Sequence, residues 1–415
     1  MNGAADEERS RAVPGLLRES EDNMRILLAN MAKMVEDTGG LAKVTSAFAN
    51  EMKRRQHAVS LVYSDDRQGE FYYPLSPGIP AYDLCHFKGQ SIRFPRYLKL
   101  KRELLRVFSK QKARTVNNDF AERFLLPNLK QTVEEVKPDV IVAFQPAASK
   151  LLLCDLQLDI PVITMSHGDP EDYFHIYPEK EIPSLEKSAV CQVLLPSFAQ
   201  HIHNHLPRAR TVVIGNAIPR YEEQADLGKV KDRYTIVSVG RLTQNHKRPH
   251  LLIEAFARLA DRYPEWQAEL WGDVDQRAFY EELKFMIKSK NLQDRVFLKG
   301  TSNEISKILQ QSDIFAFPSA YEGFGLALGE AMSMGLPAVG YKSCSAVNEL
   351  ILDGVNGFLC EEGPGDFAAK LERLMGDREL RVRMGQAARD SMKQYAPEAI
   401  WDAWEKLLET IVAEK

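Results

Sequence analysis

The sequence predicts an α/β protein made of two doubly wound domains that face each other across a cleft. Three observations predict it. Short, nearly all-apolar runs alternate with longer amphipathic runs along the chain, as parallel strands covered by helices on both faces require. The alternation breaks over residues 217–233, where Pro219, Glu222 and Glu223 stand in a polar stretch without apolar periodicity. The chain has 415 residues, and roughly 150 residues per domain gives a prior of two to three domains.

The elements follow in order. Residues 1–23 are polar and lack the apolar stretch of a signal peptide, so they read as a disordered extension. The first domain is expected over 24–215. It opens with a strand at Arg25–Ala29, a loop containing Thr38-Gly39-Gly40, and a helix whose Leu41, Val44, Phe48 and Met52 recur every three or four residues. Further strands are expected at Val59–Tyr63, Val140–Phe144, Val162–Met165, Val193–Pro196 and Val212–Ile214. A linker over 216–233 leads to a second domain over 234–395. Its strands are expected at Thr235–Val239, Ala268–Trp271, Val296–Leu298, Ile314–Phe317 and Ala338–Tyr341. Residues 396–415 form a last amphipathic helix. Sheets of this kind bind ligands at the carboxyl ends of their strands, which makes the cleft the default site.

Composition narrows the function. With 44% hydrophobic and 27% charged residues, the chain is an ordinary folded protein and not collagen-like or coiled-coil. A net charge of −4 argues against a general polyanion binder, and no nucleic-acid partner is expected. Cys85, Cys154, Cys191, Cys344 and Cys360 are widely spaced with no CxxC. That disfavours disulfides and zinc and fits a reducing, cytoplasmic setting. No apolar run approaches the ~20 residues of a membrane span.

The densest chemical signal runs from Ser319 to Pro337. A buried strand ends at Pro318, a turn with Gly323 and Gly325 follows, and a helix is expected from Gly325 to Met334. A glycine turn lets a ligand approach the backbone, and a new helix points free N–H groups at it, which makes an anion site. Glu322 and Glu330 flank that site, at most roughly 12 Å apart along the helix. Hydroxyl groups on either side of a diphosphate would suit such a pair, as in a nucleoside diphosphate sugar. A plain strand–turn–helix with surface acids is the competing reading. The second signal is Gly240-Arg241, followed by Lys247 and Pro249. Two cations around one loop can neutralise a departing diphosphate without a metal; a solvated basic loop is the alternative.

Together these motifs resemble a retaining glycosyltransferase of family four, with the GT-B fold of two Rossmann-like domains. The resemblance rests on Gly240-Arg241-Leu242 with Lys247, on Glu322 with Glu330, and on Asn348-Glu349-Leu350 followed by Asp353-Gly354 and Asn356-Gly357-Phe358. Ile214-Gly215-Asn216 resembles the hinge strand, although Ala217 stands where the family usually has glycine. Gly39-Gly40 and Ser166-His167-Gly168-Asp169 match first-domain loops. The resemblance implies that Arg241 and Lys247 hold the donor diphosphate and that Glu330 bonds the ribose. It implies that Glu322 contacts the transferred sugar and that the backbone of Gly323, Phe324, Gly325 and Leu326 meets the β-phosphate and sugar. Gly39 and Gly40 would let the first loop close, and His167 would stand near the reacting centre. His167, Arg241, Lys247 and Glu322 are thus the expected catalytic residues, with no metal and no cofactor. The donor would be UDP- or GDP-linked. The acceptor would be a glycan or lipid-linked hydroxyl in bacterial surface polysaccharide or lipopolysaccharide synthesis. The last helix would cross back to the first domain through Trp401 and Trp404. A non-catalytic carbohydrate-binding or partner-stabilising module is the alternative, and an NAD-dependent oxidoreductase a more distant one.

Three features compete for attention. Asp273-Val274-Asp275 mimics a metal motif but belongs to a loop after a strand. Gly323, Gly325 and Gly329 mimic a dinucleotide fingerprint with the wrong spacing. His201, His203 and His205 alternate with no evident further ligand and read as a polar surface. Residues 87–115 differ again: ten Lys/Arg stand against Glu103 alone, and Tyr97, Leu100, Leu104 and Phe108 share a helical face. This segment reads either as a surface for an anionic membrane, at the inner face of the plasma membrane, or as a domain helix with its apolar side packed inward.

Overall fold

The structure, a computed structural model, describes residues 23–274 and 276–415. The expected N-terminal extension, apart from its last residue, and Asp275 lie outside the described residues. Among the described residues the first domain carries seven parallel strands. They are β1 (Arg25–Asn30), β2 (Ala58–Tyr63), β3 (Ala81–Asp83), β4 (Val140–Ala143), β5 (Val162–Met165), β6 (Val190–Val193) and β7 (Thr211–Val213), in the order β3-β2-β1-β4-β5-β6-β7. The second domain carries β8 (Tyr234–Val239), β9 (Trp266–Trp271), β10 (Val296–Gly300), β11 (Ile314–Phe317), β12 (Ala338–Tyr341) and β13 (Gly357–Cys360), in the order β10-β9-β8-β11-β12-β13. Strands β4, β5, β6, β11 and β12 are buried at every residue, which is why their sequences are apolar apart from Thr164 and Gln192 and do not alternate. In each sheet the strand order reverses beside the first strand, at β1–β4 and β8–β11. A topological switch point of this kind opens a crevice at the carboxyl edge.

Six helices shape the cleft and the first-domain surface: α1 (Gly40–Arg54), α2 (Arg96–Phe108), α3 (Lys110–Phe120), α4 (Pro196–His205), α5 (Leu326–Ser333) and α6 (Pro397–Ala413). The chain passes between domains twice, side by side. Ile214 belongs to the first core and Ile218 to the second, and the Ile218 N–H donates to the Tyr395 carbonyl at 2.8 Å. From there α6 runs back onto the first domain. Trp404 is buried against the edge of Phe48 at 4.9 Å, with Trp401 at 5.7 Å from the same ring. Arg55, just past α1, pairs with Asp402 at 2.7 Å and Glu405 at 2.5 Å.

Two details differ from the sequence expectation. The strand expected at Val193–Pro196 ends at Val193, and Pro196 instead opens α4, because a proline has no N–H for a ladder but loses nothing at a first helical position. The basic segment is not one helix. Ser109 is extended (φ −160°), and its hydroxyl accepts from the Lys112 N–H at 3.3 Å, so it breaks the run and caps α3. On α2, Leu98 is the buried residue. Tyr97, Leu100, Leu104 and Phe108 face solvent at 58–84% exposure, and Val107 joins them at 80%.

Trp404→Ala should lower stability by about 3–5 kcal/mol, the usual cost of deleting a buried tryptophan, read as an earlier urea transition. An unchanged transition would show that α6 contributes nothing to the first domain.

Candidate active site

The loops leaving β1, β5, β8 and β11 meet at the facing sheet edges. The loop after β8 ends where Arg248 takes a left-handed conformation (φ 48°) ahead of the helix starting at Pro249. The Lys247 N–H donates to Thr243 Oγ1 at 3.1 Å. This bond orients the loop so that the Lys247 ammonium lies over the Phe317 ring at 5.0 Å and forms an ion pair with Glu322 Oε1. Arg241 is exposed at the start of the same loop.

Arg248, which sequence reasoning passed over, joins this loop to the next. Its guanidinium donates to the carbonyls of Pro318 (2.9 Å) and Ser319 (3.1 Å), pairs with Glu362 (2.8 Å) and covers the Tyr341 ring at 4.6 Å. A cation beside a proline carries no spacing signal; only the fold shows which carbonyls it meets.

After β11 the chain turns through residues 318–325. Gly325 caps α5 at φ 81°, a conformation that a side chain would strain. The first N–H groups of α5 therefore open toward the turn, and the helix adds its positive end. Glu322 precedes this terminus with a side chain 9% exposed. Glu330 lies within α5 and meets Lys43 of α1 across the cleft at 3.6 Å. Gly39 caps α1, its N–H held by Asp37 Oδ1 at 2.9 Å, and Gly40 is the first helical residue.

His167 lies in the loop after β5. Its ring stacks on Phe144 with centroids 5.6 Å apart and 10° between planes. Nε2 is buried and has no hydrogen-bond partner among the described residues. Burial pushes the imidazole pKa down to about 4, so it is neutral near pH 7. Its carbonyl touches the Gly323 backbone so closely that a Cβ there would collide with it. Beside it, the Asp169 N–H donates to the Tyr321 hydroxyl oxygen (2.9 Å), and Asp169 Oδ2 accepts from the Ser345 hydroxyl (3.0 Å). Glu349 accepts from the Ser197 hydroxyl at the start of α4. These bonds hold the domains together.

The structure thus gathers His167, Lys247, Glu322 and the Gly323–Leu326 backbone at one place, and Glu330, Lys43 and the N-terminus of α1 at a second place along α5. Arg241 stands on the loop serving the first. Of the competing features, Gly323, Gly325 and Gly329 belong to α5 and the turn before it, and the other two are held by nearby partners. Asp273 Oδ1 accepts from the Val274 N–H at 2.8 Å and shapes a turn. His201 Nδ1 meets Asp169 Oδ1 at 2.6 Å. His205 does have neighbours that the sequence hid: Glu171 Oε1 lies 2.9 Å from both His205 Nε2 and His175 Nε2. Those partners sit some thirty residues upstream, so histidine spacing alone could not reveal them.

Two family models cover most of the chain: Glycosyltransferase Family 4 matches residues 38–220, and Glycosyl transferases group 1 matches residues 219–391. An uncharacterized glycosyltransferase of Haemophilus influenzae is 32% identical over 183 residues, 44% of this chain and 50% of its own. The chain thus spans half the length of that relative. The lipopolysaccharide core biosynthesis glycosyltransferase LpsE of Rhizobium meliloti is 27% identical over 300 residues, covering 69% of this chain and 81% of its own. The crystal structure of Anabaena HepE in complex with UDP and glucose superposes with a TM-score of 0.68 at 18% identity, over 94% of this chain and 100% of that one.

His167 should titrate near pH 4 by imidazole NMR. The unfolded chain takes up that proton near pH 6.5, so His167 lowers folding stability progressively as pH falls from 6.5 to 4. An imidazole midpoint near 6.5 in the folded protein would contradict its burial.

Proposed function

The chain belongs to the family 4 glycosyltransferases, with two doubly wound domains in the GT-B arrangement, and from this we propose that it is a retaining, metal-independent sugar transferase. It takes a UDP- or GDP-linked sugar and passes the sugar to a hydroxyl of a glycan or lipid-linked acceptor in bacterial surface polysaccharide or lipopolysaccharide synthesis. The observation that carries this reading is the Lys247–Glu322 pair at the open N-terminus of α5. An entering diphosphate competes for Lys247, meets the α5 N–H groups and draws on Arg241. Glu322, released, is then free to accept from sugar hydroxyls. In the same way ribose hydroxyls replace Lys43 at Glu330.

In the transfer step the bond from the anomeric carbon to the diphosphate oxygen breaks, and the acceptor oxygen bonds that carbon on the same face. The acceptor proton passes to the leaving phosphate. Lys247, Arg241 and the helix terminus stabilise the charge that gathers on that phosphate. His167, kept neutral by burial, offers Nε2 for a hydrogen bond to the sugar without placing a second cation there. Gly39 and Gly40 keep the first loop close to the donor. The four charged residues Arg241, Lys247, Glu322 and Glu330 are all present in the sequence, which favours an enzyme over a binding module; the turn glycines lack the spacing an oxidoreductase would need.

Among the described residues no helix is long and apolar enough to cross a membrane. The outward face of α2 supports contact with an anionic membrane surface: an apolar ridge of Tyr97, Leu100, Leu104, Val107 and Phe108 stands beside Arg96, Lys99, Lys101 and Arg106. On this reading the enzyme works at the inner face of the membrane.

Lys247→Ala should cut kcat by about 10²–10³, the effect of losing one strong donor to a developing anion. Wild-type turnover on UDP- or GDP-sugars should survive EDTA. Normal turnover in the variant would remove Lys247 from the chemistry, and strict Mg²⁺ dependence would remove the metal-free mechanism.

A further inference from the structure

The first domain holds a second concavity, away from the Lys247–Glu322 pair. Its volume is about 690 Å³, and it opens at the carboxyl ends of β1, β2 and β4, where Lys33, Asp66 and Lys150 stand. Its wall is apolar, with Phe94, Phe120, Leu125 and Leu151. Cations line it, and three of them have acidic partners: Lys33 with Asp66 at 3.4 Å, buried Lys150 with Glu122 at 3.0 Å and Asp155 at 2.6 Å, and Arg102 with Glu103 at 3.1 Å. Arg102 is oriented by Glu103 and Asn117 and covers the Phe94 ring at 5.1 Å. Arg93 and Lys99 line the same space with no acidic partner among the described residues.

Arg93 and Lys99, beside an apolar hollow, repel one another until an anion arrives. A neutral glycan would satisfy neither of them. The apolar wall would gain nothing from a free inorganic anion. Lys99 and Arg102 also belong to α2, whose opposite side carries the exposed ridge ending in Val107 and Phe108. The hollow and the catalytic loop share one strand end: Phe144, at the end of β4, stacks on His167, and Ala147 and Lys150 follow six residues or fewer behind it.

We infer that this cavity holds the lipid end of the acceptor, and that the acceptor is a hydroxyl-bearing glycan joined through a phosphate or diphosphate ester to an apolar chain. The anionic group sits among Arg93, Lys99 and Arg102, and the chain runs along the Phe94–Phe120 wall toward the ridge of α2 and the membrane. The inference rests on the transferase reading for the word acceptor; the binding site itself does not depend on it.

Farnesyl diphosphate serves as the probe, titrated into the full chain under saturating UDP so that the donor site is occupied. Farnesol and inorganic pyrophosphate are the controls. Farnesyl diphosphate should bind at least about tenfold tighter than either, and Arg93→Ala/Lys99→Ala should erase that advantage, since hydrogen bonds to charged groups carry this much discrimination. Both replaced side chains are exposed, so the variant folds. UDP affinity should not change in it. Farnesol binding as tightly as the diphosphate, pyrophosphate binding as tightly, or an unaffected double variant would each overturn the proposal. Val107→Glu/Phe108→Glu should abolish salt-sensitive co-sedimentation with phosphatidylglycerol vesicles while leaving the soluble probe bound; undiminished sedimentation would overturn the membrane side of it. Failure of wild type to bind either UDP or GDP would instead defeat the transferase reading and leave the cavity result standing.

Discussion

A half-buried ammonium facing a buried carboxylate organises this molecule's cleft. Lys247 and Glu322 come from loops that follow different strands, and neither could be held out of water alone without a large cost; removing one member of such a pair typically costs about 3–5 kcal/mol. Their pairing fixes the loop after β8 against the loop after β11. Arg248 repeats the tie through the Pro318 and Ser319 carbonyls. On the proposed reading this is an anion site whose cation already has a partner, and a ligand that brings both a diphosphate and hydroxyl groups would replace each partner for the other.

The same logic extends along α5 and across the interdomain boundary. Lys43 from the first domain pairs with Glu330 of the second, the acid that the proposed ribose contact would use. Tyr321, Ser345 and Gly323 meet the Asp169–His167 loop, and Glu349 meets Ser197. Opening the cleft breaks these few polar contacts, while the paired crossings at Ile218 and Tyr395 and the docked α6 remain as a pivot. Beneath these polar contacts the first-domain residues Tyr173, Leu195 and Phe198 share one buried apolar cluster with the second domain, so the interface is apolar as well as polar.

Much of this was legible in the sequence, for physical reasons that can be named. Buried parallel strands such as β5, β11 and β12 are short apolar runs, and their limits could be read to the residue. The turn at Gly323–Gly325, the two acids around it and the helix start after it stand where the sequence placed them, because a glycine turn into a helix is a local signal. What stayed hidden depended on partners far away in the chain. The short strand β3 lies in a polar, proline-rich stretch, and β13 was read as part of a motif and not as a strand. Arg248 and Lys43 gain their roles only from what the fold sets opposite them. The face of α2 was the most instructive case: periodicity showed an apolar stripe at Tyr97, Leu100, Leu104 and Phe108 but could not say whether it packs inward. Leu98 takes the inward position and leaves the stripe to solvent.

The exchange of partners at Lys247 is open to direct measurement by calorimetric titration of UDP into wild type, Glu322→Gln, Lys247→Met and the double variant. UDP carries the diphosphate and ribose but no transferred sugar, so it gains Lys247 without rewarding Glu322. Glu322→Gln should therefore tighten UDP binding while Lys247 is present, and the gain should vanish in the Lys247→Met background. Equal UDP affinity with and without the Glu322 carboxylate, or the same gain in both backgrounds, would contradict the account.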